Sequence, residues 1–172
     1  MASRRTGKRS ARAVGRPGGR AVGADIRVSA LVRSPLPRAA VVALAAGVLQ
    51  AERAADAALS ITFVGKARMR TLNRMYLGRD RETDVIAFTL SRRPSARPPV
   101  RPTALVGDVH ISVDAARRQA RVLGISPAEE VRRLVVHGVL HVLGYDHPEG
   151  AGRTDAAMWH VQERHLAHLG AR

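Results

Sequence analysis

Apolar residues recur along this chain with changing periods, and each regular stretch predicts an element of secondary structure. From Ile26 to Val32, apolar residues alternate with polar or small ones, which is the period of a strand. Runs rich in β-branched residues predict further strands, and the last of these follows a segment rich in Arg, Pro and Ser. The further strands are predicted at residues 59–64, 83–90 and 104–112, the last interrupted at Gly107 and Asp108.

Start and stop signals predict five helices around these strands. The clearest start is Ser126-Pro127-Ala128-Glu129, which supplies a capping serine, a proline in the first turn and a glutamate at the third helical position. That helix extends to Leu143, and its apolar residues cover most of its circumference, which predicts a buried helix. The other helices are predicted at residues 37–55, 66–77 and 154–169, and from a cap at Ser112 or Asp114 to Leu123.

Strands and helices mix without strict alternation, so residues 25–172 are predicted to form one α+β domain. Its mixed sheet has about four strands packed with about five helices. Residues 1–24 carry seven basic residues and no acidic one, which predicts a disordered basic arm. An organelle transit peptide and a later translation start are the alternatives for this arm. Residues 91–102 predict a flexible loop, and no apolar window is long enough to predict a membrane span.

Composition narrows the choice of partner and of metal ligand. The chain carries 29 basic and 14 acidic residues, a formal net charge of +15. A field of this sign and strength favours a polyanion, with nucleic acid as the first candidate. The alternative is a surface made basic by a GC-rich genome that uses arginine freely. There is no cysteine, which excludes disulfides, thiolate metal sites and a thiol nucleophile, and leaves histidine and carboxylate as the strong metal ligands.

Three histidines mark the candidate site. His137 and His141 lie four residues apart on the predicted buried helix, so their side chains share one face. Gly144 can end the helix in a left-handed turn and bring His147 back towards them. Three imidazoles with a fourth position open are typical of a catalytic zinc site, here with one zinc ion per chain. Ligand type alone leaves nickel, copper and manganese open as alternatives.

The histidine spacing also matches that of the metzincin proteases, His-x-x-x-His-x-x-Gly-x-x-His, with one departure. Those proteases place a general-base glutamate directly after the first histidine, where this chain has Gly138. Glycine has no side chain to move a proton. Peptidase activity by that mechanism is therefore disfavoured, while the metal site is unaffected.

The run from His137 to His147, His-Gly-x-Leu-His-x-Leu-Gly-Tyr-Asp-His, closely resembles the signature of the YbeY family of bacterial endoribonucleases. Further blocks agree with that family along most of the chain from residue 25 to residue 169. They are Leu72-Asn73-x-x-Tyr76-x-x-x-Asp80-x-x-Thr83-Asp84-Val85-Ile86-x-Phe88, then Gly107-Asp108-Val109-x-Ile111-Ser112, and Met158 with Gln162 in the last helix.

This resemblance implies an α+β fold with a zinc ion on His137, His141 and His147, and metal-dependent cleavage of single-stranded RNA. It implies 16S rRNA 3′-end maturation and ribosome quality control in the cytoplasm. The implied partners are the 16S rRNA precursor, ribosomal particles and ribosome-associated proteins. Many members carry an RNA-engaging arginine directly after the tyrosine of the second block, where this chain has Leu77. Either a neighbouring arginine substitutes, or this branch holds its substrate differently.

Several choices stay open. The nucleophile is either water activated at the metal or the substrate's own 2′-OH, and no catalytic side chain is assigned. The alternative function is a ribosome-assembly binding module with a structural zinc, although such a zinc normally has four protein ligands. Asp84 and Asp108 either orient a ligand imidazole through its second nitrogen or satisfy backbone N–H groups. The remaining histidines are predicted not to be ligands: His110 is a surface or cleft side chain, and His160, His165 and His168 form a solvated helix face.

Overall fold

The computed structural model describes residues 23–91, 106–147 and 156–169. Apart from residues 23, 24 and 91, the predicted basic arm and the predicted flexible loop lie outside the described residues. The elements in chain order are β1 (Asp25–Ala30), α1 (Arg38–Ala51), β2 (Ala58–Val64), α2 (Lys66–Leu77), β3 (Val85–Ser91), β4 (Val106–Ser112), α3 (Val113–Leu123), α4 (Pro127–Leu143) and α5 (Ala157–Leu169).

The four strands form one sheet in the order β1-β2-β4-β3. β1, β2 and β4 are parallel, and β3 pairs antiparallel with β4 at the edge, so the predicted α+β fold with a mixed sheet is confirmed. The predicted interruption of β4 is wrong, because Gly107 and Asp108 pair in register with Leu59 and Ser60. Gly107 serves packing instead: a Cβ atom there would lie 2.2 Å from a methyl group of Val142 in α4.

Alternate residues of the edge strand β3 face different hydrophobic clusters. Val85 and Ala87 pack with the main core against α4, while Ile86 and Phe88 pack with a smaller cluster that includes Met69 of α2. Because successive strand residues point to opposite faces, α4 lies on one face of the sheet and α2 on the other. Aliphatic residues fill the main core between the sheet, α1 and α4, among them Ile61, Val109, Ile111, Val135 and Val139.

Local signals at the ends of α4 hold the histidine helix in place. The Ser126 hydroxyl accepts a hydrogen bond from the Glu129 backbone N–H at 3.1 Å, and the Ser126 N–H donates to the Glu129 carboxylate at 2.8 Å. This reciprocal pair is the predicted capping box. Gly144 ends the helix at a φ of 96°, a left-handed conformation that favours glycine. The predicted burial of α4 is confirmed, with Val131, Val135 and Val139 fully buried.

Two helix boundaries differ from or refine the predictions. α1 ends at Ala51 rather than near residue 55, because Arg53 takes a φ of 59° and Ala54 donates its N–H back to Leu49. For α3, Ser112 rather than Asp114 is the cap, since its hydroxyl accepts from the Ala115 N–H at 3.2 Å. Among the helices of the described ranges, none combines the length and apolarity that crossing a bilayer requires.

Candidate metal centre

The three predicted histidines meet at the end of α4. His137 and His141 project from one helix face, and the turn at Gly144 returns the chain so that His147 reaches them. The Nε2 atoms of His141 and His147 lie 3.1 and 3.3 Å from the Nε2 atom of His137. One nitrogen from each ring lies within 4.8 Å of the others, so the three side chains could hold a metal ion.

The spacing and the tautomers of these rings fit a tetrahedral metal ion. Ligand nitrogens about 2.0–2.1 Å from a tetrahedral zinc ion are about 3.3 Å apart, which matches the two separations. The Nδ1 atom of His137 lies 2.9 Å from the Gln162 side-chain oxygen, and that of His141 lies 3.1 Å from the Tyr145 carbonyl. Because these oxygens can only accept, both Nδ1 atoms carry the hydrogen. The Nε2 lone pairs then face one another, an arrangement that a cation stabilises.

The groups that orient His137 and His141 are therefore an amide of α5 and a backbone carbonyl of the turn. The sequence suggests Asp84 and Asp108 for this role, with satisfaction of backbone N–H groups as the alternative. Asp84 follows the alternative, since it accepts from the Val85 N–H at 2.9 Å and also from Gln119 at 3.0 Å. Asp108 pairs with His110 at 3.0 Å, and His110 stands outside the converging group, as predicted.

A partly buried polar cluster holds the turn that carries His147. The Tyr145 hydroxyl donates to one Glu52 oxygen at 2.7 Å, and His165 contacts the other at 2.8 Å. Burial raises the pKa of Glu52, but the hydrogen bonds from Tyr145 and His165 and the charge of His165 outweigh it and leave that pKa lowered. The same hydrogen bond, together with burial, raises the pKa of Tyr145.

His165 therefore contradicts the prediction of a solvated face. His165 is only 7% exposed because its side chain turns inward to Glu52, whereas His160 and His168 are exposed as predicted. Three supporting residues, Gln162, Tyr145 and Glu52, were not predicted as such. Gln162 and Tyr145 had a sequence signal, since both belong to the quoted family motifs. Glu52 had none, because its partners lie 93 and 113 residues away.

The histidines open into a cleft of about 700 Å³ between α4, the edge strand β3 and the segment after α2. Arg79 and Arg81 line this cleft, together with Asp84 and Asp146. Leu77, at the position of the family's arginine, also lines it and is 49% exposed. Arg79 and Arg81 thus lie in the same cleft wall as Leu77.

Gly138 has a packing role that the sequence did not reveal. A Cβ atom at this position would lie 2.5 Å from a methyl group of Val109 and 3.3 Å from one of Val85. α4 crosses the sheet at this point, so there is no room for a glutamate such as the proteases carry. The absence of a protease-type base is therefore built into the contact between α4 and the sheet.

A four-stranded mixed sheet that carries three converging histidines beside a cleft defines a candidate metalloenzyme. The family model of Endoribonuclease YbeY matches residues 34–170. A protein of that name from an Anaeromyxobacter species is 44% identical over 123 residues, and one from Moorella thermoacetica is 44% identical over 133 residues. These alignments cover 72% and 73% of this chain, and 59% and 84% of the relatives. The chain belongs to the YbeY family.

The matches to individual proteins are uneven in length. The chain spans 59% and 60% of the length of two Anaeromyxobacter relatives that it matches. A solution structure of a Thermotoga maritima protein superposes with a TM-score of 0.56 at 20% identity. That comparison covers 85% of this chain and 89% of the other, and it supports the fold.

Proposed function

We propose that this chain is a metal-dependent endoribonuclease for single-stranded RNA, with one zinc ion per chain held by His137, His141 and His147. The observation that carries the proposal is the convergence of the three Nε2 atoms at a cleft lined by Arg79 and Arg81. The name of the family and the net charge of +15 support RNA as the substrate.

Zinc is the preferred metal because imidazole nitrogen suits it and the spacing of the rings fits a tetrahedron. Bound there, it would supply a Lewis acid that polarises a phosphoryl oxygen and lowers the pKa of water. The group of metal-ligating side chains found among the described residues has three members, which leaves one position for a substrate atom or water. A structural site normally has four protein ligands, which disfavours the binding-module alternative.

The chain's own residues would bind and orient the RNA. Arg79 and Arg81 line the cleft, and their guanidinium groups would neutralise backbone phosphates, in place of the arginine that Leu77 replaces. Gln162 and the Tyr145 carbonyl would hold the histidine rings so that their Nε2 atoms face the reacting phosphate. Gly138 excludes a base at the position that proteases use, so the nucleophile is either water or the substrate's 2′-OH.

Family membership also supports a biological setting for this activity. We infer that the substrate is the 3′ end of the 16S rRNA precursor, within ribosomal particles in the cytoplasm. Ribosome-associated proteins would be further partners, and ribosome quality control a second role. The predicted basic arm at residues 1–24 would add charge to this RNA contact.

The test is cleavage of one labelled RNA as a single strand and as a duplex, with chelator and with zinc restored. The proposal predicts cleavage of the single strand, loss on chelation and recovery with zinc. A 2′,3′-cyclic phosphate opposite a 5′-OH would identify the 2′-OH as nucleophile, and a 5′-phosphate opposite a free 3′-OH would identify water. Cleavage that survives complete chelation contradicts the proposal. Uncut RNA bound by a zinc-loaded protein would support the binding-module alternative instead.

A further inference from the structure

A second cavity lies beside His137, between α3, α4 and α5. Its volume is about 380 Å³, within the range of small-ligand sites. Its walls are mainly apolar, with Val122 and Leu123 from α3, Leu134 from α4 and Trp159 from α5. It shares His137 and Asp84 with the metal cleft, so the two spaces adjoin.

The rim of this cavity exposes more apolar surface than the fold requires. Val122 is 86% exposed and Leu123 is 58% exposed, at the last two positions of α3. Side chains this exposed add little to the core, and polar residues would serve a helix end equally well. Exposed apolar residues beside a cavity are typical of a binding site.

One wall of the cavity carries an amide that is held in place. Gln119 donates its amide N–H to Asp84 at 3.0 Å, and both residues line the cavity. The wall thus combines a fixed polar group with aliphatic side chains and Trp159. Such a wall suits a flat, largely apolar group with polar atoms on its edge, which describes a nucleobase.

The charges of the lining indicate a base rather than a phosphate. Arg118 and Arg133 are balanced by Asp84 and Glu130, so the lining has no formal net charge. The metal cleft, with its arginines and histidines, is where the backbone phosphate would lie. A nucleotide whose phosphate lies at the histidines could then place its neutral base in the adjoining apolar cavity.

We propose that the cavity lined by Val122, Gln119, Leu134 and Trp159 binds one unpaired nucleobase next to the phosphate that is cut. The proposal rests on the proposed function, because it takes RNA as the ligand of the metal cleft. A base can enter this cavity only when it is not paired and stacked in a duplex. The cavity therefore gives a structural reason for a preference for single strands.

Trp159 is the only tryptophan of the chain, so its fluorescence reports on the cavity directly. The experiment titrates the zinc-loaded full chain with 2′-O-methyl hexanucleotides, either with adenine bases or abasic at all positions. The adenine oligomer is expected to quench Trp159 and the abasic oligomer to leave it unchanged. Equal quenching by the two oligomers would overturn the proposal.

A charged substitution at the rim tests the same site by affinity. Val122→Glu is expected to weaken binding of the adenine oligomer about fivefold or more, the lower end of what one base–aromatic stack contributes. The matched control is Leu31→Glu, which makes the same change in charge at an apolar residue 67% exposed just after β1 and should bind within about twofold of the unmodified chain. Equal weakening by both variants would indicate only added negative charge, and the proposal would fail.

RNA cleavage by the same preparations separates this proposal from the proposed function. Normal cleavage without base-dependent quenching would overturn the base site and leave the nuclease intact. Base-dependent quenching without cleavage would support the base site and contradict the nuclease. Far-ultraviolet circular dichroism and melting curves establish that both variants are folded.

Discussion

The Tyr145 hydroxyl donates a 2.7 Å hydrogen bond to Glu52, at the end of α1, while the Tyr145 carbonyl accepts from the ring of His141. One residue therefore connects a distant helix to a candidate metal ligand. His165 of α5 contacts the same carboxylate, so the turn between His141 and His147 is held from two helices. Orientation of the histidines depends on packing far from them in sequence.

Replacing Tyr145 by phenylalanine should loosen this turn. The variant keeps the ring and the carbonyl but removes the hydrogen bond to Glu52, at a cost of about 1–2 kcal/mol in unfolding free energy. Zinc affinity should fall up to about tenfold, the lower end for groups that orient a ligand from outside. Competition with a chromophoric chelator measures the affinity. Tyr76→Phe is the control, since it removes a tyrosine hydroxyl from a residue that is 58% exposed. If both variants lose the same stability and zinc affinity, the hydrogen bond from Tyr145 to Glu52 does not support the metal site.

Gly138→Ala should destabilise the protein although alanine favours helices. Its methyl group would lie 2.5 Å from Val109, and such overpacking costs about 1–3 kcal/mol, against about 1 kcal/mol gained in helix propensity. Gly47→Ala in α1 is the matched control, because its methyl group would meet only the end of the Leu169 side chain, at 2.9 Å, which can rotate away more easily than a branched valine. Urea unfolding of the metal-free chains should show a lower unfolding free energy for Gly138→Ala. For Gly47→Ala it should show little decrease or an increase. The reverse order would contradict the packing account.

The capping box of α4 predicts a pH-dependent share of stability. The backbone N–H of Ser126 donates to Glu129 and lowers the pKa of that carboxylate below 4.5. A carboxylate whose pKa is lower in the folded than in the unfolded chain stabilises the fold. Its contribution to the unfolding free energy is full above the pKa of the unfolded chain and is lost as the pH falls through the pKa of the folded chain. Glu129→Gln keeps an acceptor without the charge. The difference in unfolding free energy between wild type and variant should therefore be constant near neutral pH and shrink below about pH 4.5; a difference independent of pH would count against the charged cap.

Arg81 should make a phosphate contact in the cleft. Arg81→Ala leaves its backbone bond from Asn73 in place and removes one cation from the cleft wall. The slope of log binding constant against log salt should fall by about 0.7, the value for one phosphate on a single strand. Arg38→Ala, at the exposed start of α1, should leave the slope unchanged. Filter binding across a salt series measures the slope for each variant and for the unmodified chain. If the slope for Arg81→Ala equals that of the unmodified chain, Arg81 does not contact the RNA.

Local sequence signals predicted the parts of the site that are themselves local. The capping box fixed the start of α4, and the four-residue spacing with a glycine turn predicted that His137, His141 and His147 meet. Alternation and β-branched runs predicted the four strands, because half-buried and buried strands carry those patterns.

Features that depend on distant contacts escaped prediction. His165 looked solvated because nothing near it in sequence announces Glu52, 113 residues away. Gly107 looked like a break in β4, since only the closeness of Val142 explains a glycine inside a continuous strand. Glycine tolerates both a bend and a close helix, and a sequence alone does not distinguish these uses.

The most direct test of the account is metal content measured beside RNA cleavage in His137→Ala and in its control. His137 is buried among the converging rings, whereas His160 is an exposed histidine of α5. The account predicts about one zinc ion per chain and normal cleavage for wild type and His160→Ala. For a folded His137→Ala chain it predicts loss of both zinc and cleavage. Undiminished cleavage by that variant, in the absence of bound metal, would contradict the central claim.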